Sequence, residues 1–187
     1  MFEQCENKPF LDCKTEYNKA YFTTLHNIFP DLDKSTNKSY IAEHMLIHTK
    51  TMRKLIDEIE ANDTIIGESF SEKIINAISV DDIAGSGFSE FETYGTYVTN
   101  RVDGFYIIRD WKSMRHGGLF FDGSKSISPS IRTWLSSSYD AISFEKVDYI
   151  SSLSRIITDK YIRMFNANSL ETLSFIIRAE RKILRKR

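Results

Sequence analysis

The chain has 187 residues, enough to bury a sizeable core and too few for two large domains. Its 41% hydrophobic and 27% charged residues exclude wholesale disorder, and 13 Phe and 9 Tyr against 8 Gly and 3 Pro exclude collagen-like or low-complexity architecture. A net charge of −1 gives the surface as a whole no electrostatic reason to seek nucleic acid. Met1 to Lys14 is polar and mixed in charge, without an apolar run of signal-peptide length, and no apolar run anywhere is long enough for a transmembrane segment. Cys5 and Cys13 lie close together near the start, where a bridge would not staple the fold. Two free thiols in a reducing, cytoplasmic setting are the expectation.

Taken in chain order, Tyr17, Tyr21, Phe22, Leu25, Ile28 and Phe29 form a helical stripe that ends at Pro30. Asp31 to Lys38 is a polar loop, and Asp31-Leu32-Asp33 within it reads as a helix-terminating turn rather than a metal-holding acid pair. Ser39 to Ile47 is short and apolar and suits a buried strand. Met52, Leu55, Ile56 and Ile59 then repeat at i, i+3, i+4 and i+7, with Asp57, Glu58 and Glu60 on the wet face. Ser69 with Glu72 predicts a capping box ahead of Phe70, Ile74, Ile75 and Ile78. Gly85-Ser86-Gly87 is flexible and leads into Ser89-Glu90-Phe91-Glu92, a second capping box opening a helix to about Asn100. Phe105 to Ile108, Gly118 to Phe121 and Ala141 to Phe144 read as short strands, with Trp111 to His116 a loop. Asn168 with Glu171 caps a basic C-terminal helix over 168–187. Helices and short strands are interspersed without a linker, which predicts a helix-rich α/β fold in a single domain over 1–187.

Chemistry-bearing residues gather in four places. The Ser89 helix start presents unpaired N–H groups, which suit an anion or a sugar hydroxyl. There Glu92 is expected to fold back onto the Ser89 N–H, while Glu90 is left to accept a proton or a hydroxyl hydrogen bond, with Tyr94 one turn further on the same face. A well-capped surface helix is the plainer alternative. His44 and His48 on a strand would stand about 13 Å apart, too far for one ion, so a hydrogen-bonded His44 beside Glu43 is expected. Arg115-His116 beside Gly117-Gly118 suits a phosphate, or adds His116 to a metal shell; a plain turn is the alternative. The basic run from Arg178 to Arg187 suits a helix C-terminus, with an anionic surface as the other reading.

Three segments occur in a fixed order: Ser39-Tyr-Ile-Ala-Glu-His-Met-Leu-Ile, Gly87-Phe-Ser-Glu-Phe-Glu-Thr-Tyr-Gly-Thr-Tyr-Val98 and Asp140-Ala-Ile-Ser-Phe-Glu145. With Tyr17-Asn-Lys-Ala-Tyr-Phe22 as lead-in, residues 17–145 resemble the DUF6492 glycosyltransferase-like group of bacterial, fungal and viral proteins. The resemblance implies a partial GT-A fold, a Rossmann-like nucleotide-diphospho-sugar transferase sheet. The implied activity is transfer of a sugar from a nucleotide-sugar donor to the hydroxyl of a carbohydrate acceptor. It implies Glu90 as catalytic base and Glu43, His44, Met45, Ser89, Tyr94 and Gly95 as substrate-binding, with Arg115 added from its own sequence context. Mn²⁺ or Mg²⁺ is implied where the nucleotide site is complete. Family members carry an Asp-X-Asp motif upstream of the matching region, which has no counterpart here. The expectation is therefore the C-terminal part of such an enzyme, with a separate chain supplying the rest, or a non-catalytic remnant that serves as a binding module.

Overall fold

The computed structural model describes residues 4–5, 8–145 and 159–184; the Cys5 thiol and the basic side chains from Arg181 onward lie outside the described residues. The architecture is mixed α/β. The chain divides into two compact units, Met1–Trp111 and Lys112–Arg187, each with its own hydrophobic core. Residues 17–145 run across that division.

In the first unit β1 (Gln4–Cys5) and β2 (Lys8–Cys13) form an antiparallel pair, and β2 runs parallel to β3 (Ile107–Asp110), giving the order β1-β2-β3. Phe10 stands opposite Ile107 and Cys13 opposite Asp110. Parallel neighbours need a long crossover, and here four helices supply it: α1 (Lys19–Ile28), α2 (Thr49–Glu60), α3 (Phe70–Ala77) and α4 (Glu90–Arg101). Asn18 caps α1 by accepting the Ala20 N–H, and the helix stops before Pro30. Asp31-Leu32-Asp33 forms the expected turn, with Leu32 in the core and Asp31 paired to Arg101 at 2.8 Å. On α2, Leu55 and Ile59 are buried and Met52 and Ile56 pack against the same core, as the i, i+3, i+4, i+7 pattern requires. Each such buried side chain contributes roughly 1.5–3 kcal/mol. Ser69 and Glu72 form both halves of the capping box on α3.

Two expectations fail together in this unit. The segment Ser39 to Ile47 is not a strand. Ser39 makes one backbone bridge, to Lys14, and the rest is irregular. Nor does Glu92 fold back onto Ser89: Ser89 accepts the Glu92 N–H at 3.2 Å, which is half a capping box. The fully buried Glu92 carboxylate instead accepts from Ser39 Oγ at 2.8 Å and from the Tyr40 N–H at 3.0 Å. Glu92 thus supplies the Tyr40 N–H with the acceptor that a neighbouring strand would otherwise have provided.

The second unit holds β4 (Ser113–Met114) parallel to β5 (Ala141–Ile142), then α5 (Pro129–Ser136), α6 (Asp159–Ile162) and α7 (Ala167–Leu184). The expected loop at Trp111 to His116 therefore contains a short strand. The expected strand Gly118 to Phe121 is a 3₁₀ turn over Gly117–Leu119 with its exit. Leu119, Phe120 and Phe121 are all buried in succession, which a tight turn permits and an alternating strand does not. The cap of α7 is Asn166, whose Oδ1 accepts the Ser169 N–H at 2.9 Å, so Asn168 already lies inside the helix. Leu170 and Ile177 carry α7 onto Ile131 and Leu135 of α5 in one core. Among the described residues no helix is long and apolar enough to cross a membrane.

Candidate functional site

The densest polar constellation lies where β2 and β3 end side by side. Asp12, the fifth residue of β2, is 6% exposed. Its neighbour across the parallel register is Arg109, whose Nε donates to Asp12 Oδ1 at 2.7 Å and Nη2 to Oδ2 at 3.0 Å. This two-pronged grip suits a planar guanidinium against a carboxylate. His44 reaches the same acid from the irregular segment, Nε2 to Oδ2 at 2.8 Å. A carboxylate oxygen only accepts, so His44 Nε2 carries a proton, and in the neutral ring Nδ1 holds the lone pair.

Around this triad the chain adds an aromatic wall and a second ion pair. The His44 ring meets Trp111 edge to face at 4.5 Å, and the Arg109 guanidinium lies over Phe10 at 4.2 Å and Trp111 at 5.1 Å. Trp111 Nε1 donates to Glu43 Oε2 at 3.1 Å, and Lys14 Nζ pairs with Glu43 Oε1 at 2.8 Å. Lys38 pairs with Asp110 at the end of β3. Behind the sheet, burial above all, and then the charges of Glu92, Asp110 and Asp12, push the free Cys13 thiol up to about 12. It is an inert thiol rather than a nucleophile.

The backbone just after His44, at Leu46 and His48, is held by a chain of phenols. The His48 N–H donates to Tyr94 Oη at 2.9 Å, Tyr94 and Tyr106 hydroxyls meet at 3.0 Å, and Tyr106 donates to the Leu46 carbonyl at 2.6 Å. Desolvation by burial, followed by the bond to Tyr94, raises the Tyr106 phenol above its ordinary range.

The structure sorts the expected site residues into separate places. Glu43 and His44 stand in the strand-end cluster. Met45 packs against the core of the first unit. Ser89 is the buried cap of α4, and Tyr94 belongs to the phenol chain. Gly95 lies under the Tyr40 ring, so close that a Cβ there would sit 2.3 Å from Tyr40 Cγ. Glu90 is exposed and, with Tyr94, lines an apolar cavity between α2, α3 and α4. Of the two glycines in the 85–87 loop, Gly85 is exposed, whereas Gly87 is packed on Ile78 and its carbonyl accepts from Thr24 Oγ1 at 2.7 Å. In the second unit Arg115 is exposed, and His116 takes a left-handed conformation (φ 64°) ahead of the buried Gly117. Among the described residues no three His, Cys, Asp or Glu side chains gather to hold a metal ion.

Asp12, Lys14, Arg109 and Trp111 escaped the sequence reading. The signal was present in Phe10-Leu11-Asp12-Cys13 and Ile107-Ile108-Arg109-Asp110, two apolar runs that each end in charge. Against protein-family models, curated proteins and solved structures alike, the chain shows no significant match.

Proposed function

We propose that the chain works in sugar transfer from a nucleotide-sugar donor to an acceptor hydroxyl, on a framework of the GT-A kind, with the transfer site at the ends of β2 and β3. One observation carries the reading: a buried Asp12 gripped by Arg109 and holding His44 at the carboxyl ends of adjacent parallel strands. In open α/β sheets that edge is where ligands bind. An acceptor hydroxyl needs a positioned proton acceptor, and His44, oriented through Nε2 by Asp12, is built as one. Negative charge develops on the leaving diphosphate, and Lys14 and Arg109 supply cations at the same edge. The described residues do not fit a divalent ion, since the acids of the cluster are paired with Lys14, Lys38 and Arg109 and no ligand trio forms. No step is routed through a metal.

The second reading, a non-catalytic binding module, draws support from the same pairing of acid with cation. Thermal unfolding with millimolar UDP or GDP, each with and without Mn²⁺, separates the two. Under the transfer reading at least one nucleotide raises the Tm by binding linkage, and Lys14→Met removes the rise. No rise with any of the four mixtures leaves the binding module. Where transfer is measured, His44→Asn is expected to cut turnover at least about a hundredfold with nucleotide binding intact. Glu90→Gln in the same assay tests the acid that the resemblance implies; a near-normal rate removes it from the chemistry.

A further inference from the structure

The geometry points to a peripheral membrane contact in the second unit, independent of sugar transfer: the outer face of α7, with the basic run at its end, lies on an anionic lipid surface. Leu170, Ser174 and Ile177 are buried on one side of this helix, and Leu170 and Ile177 belong to the second core. At 3.6 residues per turn, Thr172, Phe175, Ile176 and Ala179 fall on the opposite side. Phe175 is 73% exposed and Ile176 51%. Met164, in the turn that leads into the helix, is 81% exposed. Apolar residues scattered singly over a surface call for no explanation. Phe175 and Ile176 are different, because they stand together in the middle of a helical face, and the sequence repeats the spacing at Ile183.

The same end of the chain carries its densest positive charge. From Arg178 to Arg187 there are six Lys and Arg residues against one acid, Glu180, in a chain whose net charge is −1. The helix dipole favours cations only within the last turn, so it does not account for Arg178, which is exposed, and it has no bearing on Phe175 or Ile176. Glu171, an exposed acid of α7, stands two turns before Arg178, away from the basic run.

Apolar side chains in water and a block of cations beside them are the two halves of an interfacial helix. The apolar face enters the boundary between headgroups and acyl chains, and the cations meet acidic headgroups. Each Lys or Arg near such a surface raises affinity about fivefold. A nucleic acid would take the cations and leave Ile176 and Met164 in water, whereas an anionic bilayer satisfies both sets at once. The helix lies on the surface rather than through it, since among the described residues no helix is long and apolar enough to cross a membrane.

The test is co-sedimentation of the full chain with phosphatidylcholine vesicles, with or without about one-third phosphatidylserine. Binding is expected to the anionic vesicles only, and to fall at least about tenfold as salt rises from about 0.1 M to about 0.5 M. Phe175→Ser combined with Ile176→Ser should weaken it at least about tenfold while leaving the Tm of the free protein where it was, because both residues already face water. Arg181→Gln combined with Lys182→Gln should also weaken it at least about tenfold. Absence of binding to anionic vesicles, or equal binding to neutral ones, would overturn the assignment. Vesicle binding unmoved by the Phe175 and Ile176 substitutions would reduce the contact to bare polyanion attraction, as for nucleic acid, and overturn it too. So would a marked fall in Tm for that variant without vesicles, which would mean that the face is packed within the protein. No nucleotide enters the assay, so failure here and failure of the transfer reading are separate results.

Discussion

Asp12 is gripped by three N–H donors, two from Arg109 and one from His44, and is almost wholly out of water. Removing one partner of such a pair leaves the other charge buried without compensation, which costs far more than the pair contributes as a whole. Arg109→Met is therefore expected to destabilise the first unit by roughly 3 kcal/mol, the low end for unpairing a buried charge because the arginine keeps some contact with water. Adding Asp12→Leu to that variant should recover part of the loss, since a packed apolar pair replaces a buried acid left with His44 alone. Urea titrations of the two single variants and the double variant measure the cycle. Additive losses would show that the two side chains do not act as a pair.

At the level of elements, α4 sits at the centre of the first unit because both of its flanks are spoken for. Glu92 to Val98 are buried, Glu92 ties the 39–40 backbone to the helix, and Gly95 receives the Tyr40 ring. Gly95→Ala gains helix propensity of about 1 kcal/mol. It also drives a methyl to within 2.3–2.7 Å of Tyr40, a fully buried ring bonded through its hydroxyl to Ser35 at 2.6 Å. Overpacking wins, with a net loss of about 1–2 kcal/mol in a urea titration. Gly85→Ala is the control: its Cβ would stand 3.7 Å from the nearest atom, and stability should hold or rise slightly. The helices of this unit were readable because their apolar residues repeat every turn and a cap such as Ser69 is local, although Asn18, the cap of α1, was not singled out. The irregular 39–48 segment was not readable, because what orders Tyr40 and His44 lies far along the chain, at Glu92 and Asp12. Glu43 and His44 were legible as polar residues in an apolar stretch. Their partners on β2 and β3 were hidden, since short strands carry little periodicity and their register is set by each other. Asn166 was passed over for Asn168 because both asparagines offer a capping oxygen and spacing alone does not choose between them.

At the scale of the whole molecule, two cores imply two melting events. Trp111 belongs to the first unit and Trp134 packs against the core of the second, so each unit carries its own fluorescent reporter. In a Trp134→Phe background, Leu170→Ala removes a fully buried side chain from the second core at a cost of about 2–5 kcal/mol. The urea midpoint seen by Trp111 is expected to stay where it was, whereas Ile59→Ala, in the first core, should lower it. If both substitutions move the Trp111 signal equally, the units unfold as one cooperative block.

The phenol chain has a direction. Leu46 offers only an acceptor and the His48 amide only a donor, so the Tyr106 proton points to Leu46 and the Tyr94 proton must point to Tyr106. A relay that begins and ends on main-chain groups has nowhere to discharge a proton; it transmits position alone. Tyr94 is thereby withdrawn from acid–base work and becomes a strut, one that ties the backbone at His48 to α4.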